Sequence, residues 1–159
     1  MVTFNEAGLR RTSSPILLLK ALHNNSTAKN ASEKDGQFPA LLPVARGASV
    51  VLTANLWPQA KLVNGSRGSL TYIVFNEGRG PVDGLPAFLV VTFPCYTGPP
   101  FIPGEPGTVA VCSRLADWQE RRTRCLRRMY PLILGYSITI HKCQGRLSEI
   151  RTYIFKCRH

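Results

Sequence analysis

Glycine and proline divide this chain into short segments. The 159 residues include 13 Gly and 12 Pro, and both residue types tend to interrupt helices and strands when they fall inside them. Hydrophobic residues nevertheless make up 44% of the chain, which is enough to form a core. This combination favours a folded, β-rich domain of short strands over a helix bundle.

Four apolar segments are predicted as strands, and they cover residues 48–53, 69–75, 87–93 and 109–111. Asn64-Gly65 between the first two is a strong turn signal. Their spacing of roughly 10 to 20 residues is typical of a small antiparallel barrel, here spanning about residues 49–111. Residues 24–37 are polar and predict a connector with one helical turn capped by Ser26.

Two later segments are less simple. Residues 114–128 fit either a basic helix or a strand and turn, and their periodicity does not decide between the two. Residues 132–138 predict a further strand. If this strand belongs to another domain, it lacks sheet neighbours here, and exposed apolar edges are expected to lower the solubility of the chain.

The charge of the chain is strongly positive. Twenty Lys and Arg against nine Asp and Glu give a formal net charge of +11, so a polyanion is the natural partner. A ribosome-like structural role, a membrane-surface role, or a basic piece of a better balanced protein remain as alternatives. The densest cluster is either a solvated basic face or the lining of a path for single-stranded DNA; it consists of Arg121, Arg122, Arg124, Arg127 and Arg128.

The five cysteines are irregularly spaced and include no C-x-x-C pair. Neither a zinc site nor a disulfide framework is therefore indicated, and no metal-binding residues are predicted. Reduced thiols are expected in an intracellular protein. No apolar run approaches the roughly 20 residues of a membrane helix, so no membrane partner is expected.

The most specific stretch follows the last predicted strand and reads Thr139-Ile140-His141-Lys142-Cys143-Gln144-Gly145. Thr139 can cap one helical turn, and Gly145 can close it in the left-handed conformation. Free backbone N–H groups beside His141, Lys142 and Gln144 suit a phosphate. An exposed polar turn is the alternative on spacing alone.

This stretch resembles motif V of superfamily-one helicases, which reads T-I-H-K-S-Q-G in the Pif and RecD branch; only Cys143 departs. Residues 47–57 and 62–68 resemble the G-A-x-V-M-L-T-x-N-L and L-V-N-G-x-x-G signatures of the same branch. Together the resemblance covers roughly residues 13–147. It implies a piece of an ATP-dependent DNA helicase of the Pif and RecD type.

The resemblance implies a mixed α/β, β-rich fold in which a small SH3-like antiparallel barrel, called domain 2B, is attached to a partial RecA-like motor domain. The expected boundaries are a partial motor segment and connector at 1–46, the barrel with insertions at 47–130, a motor strand with motif V at 131–147, and a divergent tail at 148–159. ATP and Mg are the implied cofactors of the intact enzyme. Single-stranded DNA and the missing part of the motor domain are the implied partners.

Residue roles follow from the same resemblance. Gln144 and Gly145 are expected to couple to the nucleotide, and the remaining candidates are expected to contact nucleic acid: Thr139, His141, Lys142, Asn64, Arg67, Arg121, Arg122 and Arg124. Asn64-Gly65 also has a simpler interpretation as a hairpin turn. Trp57 and Trp118 are candidates for base stacking, with burial in the barrel as the alternative.

Parts of the family pattern are missing. The chain contains no G-x-x-x-x-G-K-[ST] phosphate loop, no acidic Walker B motif and no arginine-bearing motif VI. No catalytic residue is therefore assigned, and the chain is expected to be inactive as an ATPase by itself. A non-catalytic basic nucleic-acid-binding module from a degenerate helicase gene is the alternative function. A nuclear or mitochondrial location is expected for either.

Overall fold

Helices are few and short in the computed structural model, which describes residues 7–136. Residues 7–10 form one helical turn, α1 spans Ser26–Asn30, α2 spans Glu33–Gly36, and a 3-10 turn spans Pro58–Ala60. The side chain of Asn25 caps α1, because its Oδ1 accepts a hydrogen bond from the Ala28 N–H at 2.8 Å. The prediction of Ser26 as the cap was wrong by one residue.

Most of the regular secondary structure is in strands. In chain order these are β1 Leu17–Lys20, β2 Leu22–His23, β3 Leu41–Val44, β4 Ser49–Leu52, β5 Arg67–Val74, β6 Phe88–Thr92, β7 Thr108–Cys112, β8 Arg114–Glu120, β9 Thr123–Met129 and β10 Leu132–Leu134. The four predicted strands correspond to β4, β5, β6 and β7. Within residues 7–136, no helix is both long and apolar enough to cross a membrane.

The largest sheet is antiparallel and has the strand order β10-β4-β5-β6-β7. A register shift between Leu70 and Tyr72 marks a bulge in β5, where the strand bends. Among the described residues the sheet is open, with β10 and β7 as its edges. The β-rich, antiparallel prediction is confirmed, whereas a closed SH3-like barrel is not.

Strand β10 corrects one expectation. It pairs with β4, Leu132 opposite Leu52 and Leu134 opposite Val50, and Leu132 and Leu134 are both buried. The predicted strand therefore has a sheet neighbour here, and its leucines do not leave an exposed apolar edge. Residues 137 and 138 of that prediction lie outside the described residues.

Strands β8 and β9 form a hairpin, and β2 adds to the free side of β9. Residues 114–128 are therefore a strand and turn, not a helix. Strands β1 and β3 form a separate two-stranded sheet. One hydrophobic cluster joins all three sheets, with Leu42 of the smallest, Leu70 of the largest and Met129 of the hairpin among its buried members.

Candidate nucleic-acid interface

The tip of the β8–β9 hairpin carries two of the predicted DNA contacts. Arg121 and Arg122 form the turn between Glu120 and Thr123, which pair across the strands. Arg121 has a φ of 55°, as two-residue hairpin turns require at their first position. Both arginines are exposed. The structure thus brings them together on a solvent-facing tip, and their contact with DNA stays a prediction.

Arg124, the third hairpin candidate, is exposed but paired. Its Nε lies 3.2 Å from each carboxylate oxygen of Asp117, and its Nη2 lies 2.6 Å from Oδ2. This side-chain hydrogen bond holds the pKa of Asp117 below its ordinary value and raises the pKa of Arg124. A phosphate would have to compete with Asp117, so Arg124 is a weaker candidate than Arg121 or Arg122.

Arg127 does not line a DNA path. It is 0% exposed, and its guanidinium is enclosed by the segment that carries α1 and α2. It donates to the carbonyl oxygens of Ala28 at 2.9 Å, Ala31 at 2.7 Å, Ser32 at 3.3 Å and Phe38 at 2.8 Å. The expectation that residue 127 belongs to a basic surface was wrong, because its donors are used to hold a loop.

The burial of Arg127 had a signal in the sequence. Successive side chains of a strand point to opposite faces, and Arg127 shares its face of β9 with Cys125 and Met129, which are both buried. If residues 123–129 had been known to form a strand, the burial of Arg127 could have been predicted from this alternation. The periodicity of residues 114–128 did not distinguish a helix from a strand, so the burial was not predicted.

His23 completes the surroundings of Arg127. The Arg127 Nε–H donates to His23 Nε2 at 3.1 Å, which requires a neutral imidazole. Burial, followed by the positive charges of Arg127 and Lys29, holds the pKa of His23 below its ordinary value of 6.5. Folding therefore disfavours the protonated form of His23.

We expect this shift to make the stability depend on pH. Because the folded pKa is lowered, the unfolded chain binds more protons below about pH 6.5. The His23 contribution should be fully present above that value and lost as the pH falls toward the folded pKa. Urea unfolding between pH 7.5 and pH 5 measures this loss, with His23→Gln, which keeps an acceptor but does not titrate, as the control. Equal pH dependence in the two proteins would rule out His23 as the cause.

Asn64 and Arg67 lie together on the connection between β4 and β5. The Asn64 N–H donates to Asn55 Oδ1 at 2.8 Å, and Gly65 has a φ of 91°, so the hairpin-turn interpretation is correct for the backbone. The Asn64 side chain also lines a cavity of about 240 Å³ together with Thr53 and Ile133. Arg67 begins β5 and is exposed. This pair and the hairpin arginines belong to different sheets.

The two tryptophans differ in exposure. Trp118 is half-buried against the core, and the guanidinium of Arg127 lies 5.9 Å from its ring centroid. Trp57 is 45% exposed and its ring lies near that of Tyr96. Trp57 therefore offers an exposed ring for base stacking, whereas the ring of Trp118 packs against the core. Tyr96 was not selected from the sequence, since 39 residues separate it from Trp57 and no local pattern joins them.

The motif V candidates lie outside the described residues: Thr139, His141, Lys142, Gln144 and Gly145. Their assigned roles stay predictions. Within residues 7–136, no group of three or more His, Cys, Asp or Glu side chains is placed to hold a metal ion.

Comparison with known proteins identifies what this arrangement is similar to. No family model matches the chain. The ATP-dependent DNA helicase PIF1 of Danio rerio is 31% identical over 144 residues, which cover 89% of this chain and 19% of that protein. The chain therefore spans about a fifth of the length of this relative.

Solved structures give the same answer for the fold. The Pif1 helicase of Candida albicans matches with a TM-score of 0.65 at 21% identity, over 91% of this chain and 34% of the other. The Pif1 helicase from Bacteroides in complex with ADP-AlF3 and ssDNA matches with a TM-score of 0.56 at 17% identity, over 91% and 29% of the two chains. The sequence match and the shared fold confirm the resemblance, and the chain belongs to the Pif1-like superfamily-one helicases.

Proposed function

We propose that this chain is the part of a Pif-like, ATP-dependent DNA helicase that contacts single-stranded DNA and couples it to ATP hydrolysis in the intact enzyme. The relative from Danio rerio is named an ATP-dependent DNA helicase, and the Bacteroides neighbour holds single-stranded DNA. The likeness to these helicases does not favour the alternative of a stand-alone module from a degenerate gene. We place the intact protein with its DNA, in the nucleus or the mitochondrion.

The observation that carries the proposal is the display of cations without acidic partners. Arg67, Arg121 and Arg122 are exposed, and in the described part of the chain the recorded ion pair is that of Arg124 with Asp117. Because these three arginines have no such ion pair within residues 7–136, they can bind phosphates without first breaking a bond to a carboxylate. The net charge of +11 adds a long-range field of the same sign.

ATP and Mg are assigned to the rest of the helicase. The chain has no phosphate loop, and the described residues offer no acidic cluster for a metal ion, so the residues in hand do not fit an ATP–Mg site. When bound in the intact enzyme, the nucleotide supplies the energy of movement. From this chain, Gln144 and Gly145 would face the nucleotide, and Thr139, His141 and Lys142 would face the DNA strand.

Binding of the 159-residue chain to a single-stranded oligonucleotide tests the DNA contact. We expect weak, sequence-tolerant binding whose affinity falls as salt rises, with a logarithmic slope of about 0.7 for each neutralised phosphate. The double variant Arg121→Ala/Arg122→Ala should reduce that slope by roughly 1.4 if each arginine contacts one phosphate. Fluorescence anisotropy at a series of salt concentrations measures both quantities.

Arg79→Ala is the control, because Arg79 is an exposed arginine on the β5–β6 connection and not in the β8–β9 turn. It should leave the slope nearly unchanged. An affinity that does not depend on salt would contradict the electrostatic contact. Equal slopes for the double variant and the original chain would remove the hairpin tip from the interface.

A further inference from the structure

Two loops of the largest sheet meet and place a pair of aromatic rings at the surface. Trp57 lies between β4 and β5, and Tyr96 lies between β6 and β7. Their ring centroids are 6.3 Å apart, and the ring planes make an angle of 59°. We call Trp57 and Tyr96 the aromatic pair. Its outer member, Trp57, leaves 45% of its surface open to solvent.

Backbone hydrogen bonds close the turn that carries Trp57. The N–H of Trp57 donates to the carbonyl of Leu62 and the N–H of Leu62 donates back to the carbonyl of Trp57, both at 3.0 Å. Between them the 3-10 turn Pro58–Ala60 ends at Lys61, whose φ is 64°. A side chain on a closed turn of this kind loses little additional freedom when a ligand binds.

The second loop is fixed to the first. The Thr97 N–H donates to the carbonyl of Ala60 at 3.3 Å, and the Tyr96 hydroxyl donates to the carbonyl of Pro99 at 3.1 Å. A Cβ atom at Gly98 would lie 2.3 Å from the Tyr96 hydroxyl oxygen. The conformation of Tyr96 therefore depends on a glycine at position 98.

Trp57 is not part of the hydrophobic core. Tyr96 packs against the hydrophobic core, whereas Trp57 is not among the residues that form or line it. An exposed tryptophan beside a second aromatic ring offers apolar contact area at the surface, as binding sites often do. The exposed part of the Trp57 ring is available to a ligand.

The local charge indicates which ligand. Residues 53–67 contain Lys61 and Arg67 and no Asp or Glu, and residues 93–100 also contain no Asp or Glu. Lys61 and Arg67 are both exposed. Aromatic faces with neighbouring cations and no acids are the combination by which proteins bind single-stranded nucleic acid, whose bases stack while its phosphates are neutralised.

We propose that the aromatic pair is a stacking platform for one unpaired base of a single-stranded nucleic acid, with Lys61 contacting a neighbouring phosphate. The inference rests on the proposed function, and it adds a site with a defined chemistry. The base stacks on the open face of Trp57, and Tyr96 supports that ring from the protein side. Stacking of this kind tolerates any base sequence, because every base has a π face.

The test compares two oligonucleotides of equal length and charge, one of thymidines and one of abasic units. For Trp57→Ala we expect affinity for the thymidine strand to fall about 5- to 150-fold, the range for one stacked base. Affinity for the abasic strand should change less than about twofold, since its phosphate contacts remain. Trp57→Phe should retain binding to within about threefold, because Phe keeps an aromatic face.

Phe101→Ala is the matched control. Phe101 is 49% exposed, but it packs edge-on against Phe88 and is not part of the pair. It should leave affinity for both strands within about twofold of the original. Thymidine binding should also quench tryptophan fluorescence in the original chain, and that quenching should be absent in Trp57→Phe even if Trp57→Ala folds poorly.

The outcomes separate the two proposals. If the original chain binds neither strand, the proposed function fails. If it binds both with salt-dependent affinity, and Trp57→Ala weakens neither or weakens both equally, the platform alone is overturned. If Trp57→Ala weakens binding to neither strand, the aromatic pair is instead explained as a surface for docking a protein segment.

Discussion

Arg127→Met is expected to lower the free energy of unfolding by about 3 to 5 kcal/mol, because several backbone carbonyls would lose a charged hydrogen-bond donor at once. The substitution has nearly the right volume, so the loss arises from hydrogen bonding. The buried backbone carbonyls of Ala28 and Phe38, and the partly buried carbonyl of Ala31, would lose the donor that Arg127 now provides. Each such group costs on the order of 1–3 kcal/mol when desolvated and unpaired.

Urea or thermal unfolding of the chain measures the effect. Arg128→Met is the control, because Arg128 is adjacent in β9 but exposed; it should change stability by no more than about 0.5 kcal/mol. Arg127→Lys should give a loss that remains large, since one ammonium group cannot reach acceptors arranged around a planar guanidinium. If Arg127→Met unfolds at the same urea concentration as the original chain, the guanidinium is not what holds the α1–α2 segment against β9.

Gly145→Val is expected to reduce DNA unwinding by roughly 5- to 30-fold when residues 131–147 are grafted into a full-length Pif-like helicase. If Gly145 closes the motif V turn in the left-handed conformation, a β-branched residue there costs on the order of 1–2 kcal/mol, and 1.4 kcal/mol is a factor of ten. Lys142→Ala should mainly weaken binding of the DNA strand. Gln144→Ala should leave binding nearly intact and reduce the unwinding obtained for each ATP hydrolysed.

Strand binding, ATP turnover and unwinding are measured on the same grafted proteins. Cys143→Ser is the control, because it restores the residue that the Pif and RecD branch carries at this position, and it should be silent in all three measurements. If all three test variants unwind DNA at the rate of the unmodified graft, motif V is only a structural turn in this chain. Its assigned coupling role would then be withdrawn.

The strands of the main sheet could be predicted because their signal is local. Residues 48–53 and 87–93 are apolar runs that end at turn residues, and the structure places β4 at Ser49–Leu52 and β6 at Phe88–Thr92. Val50, Val51 and Leu52 are all buried, so both faces of β4 are covered, and a strand covered on both faces requires a continuous apolar run. Asn64-Gly65 predicted the turn for a similar reason, since Gly65 adopts a positive φ.

The candidate site was predictable only in part. The hairpin arginines were selected as one cluster, but their exposure alternates along β9, and that alternation is visible only once the segment is known to be a strand. Arg124 was selected without its partner Asp117, which lies on β8 diagonally across the hairpin. The resemblance to helicases selected Asn64 and Arg67, and the structure adds that Asn64 lies in the turn before β5 and Arg67 at the first position of β5.

The β-rich class, the positions of the main strands and the helicase family could be read from the sequence, because they depend on local patterns and on short motifs that can be matched along the chain. Three features required the folded structure: the open sheet among residues 7–136, the burial of Arg127 under α1 and α2, and the contact of Trp57 with Tyr96. Each of these depends on backbone groups or side chains that are distant along the chain and converge only when the chain folds. Local periodicity shows which face of a strand a residue occupies, but not which distant carbonyl or ring will lie against it.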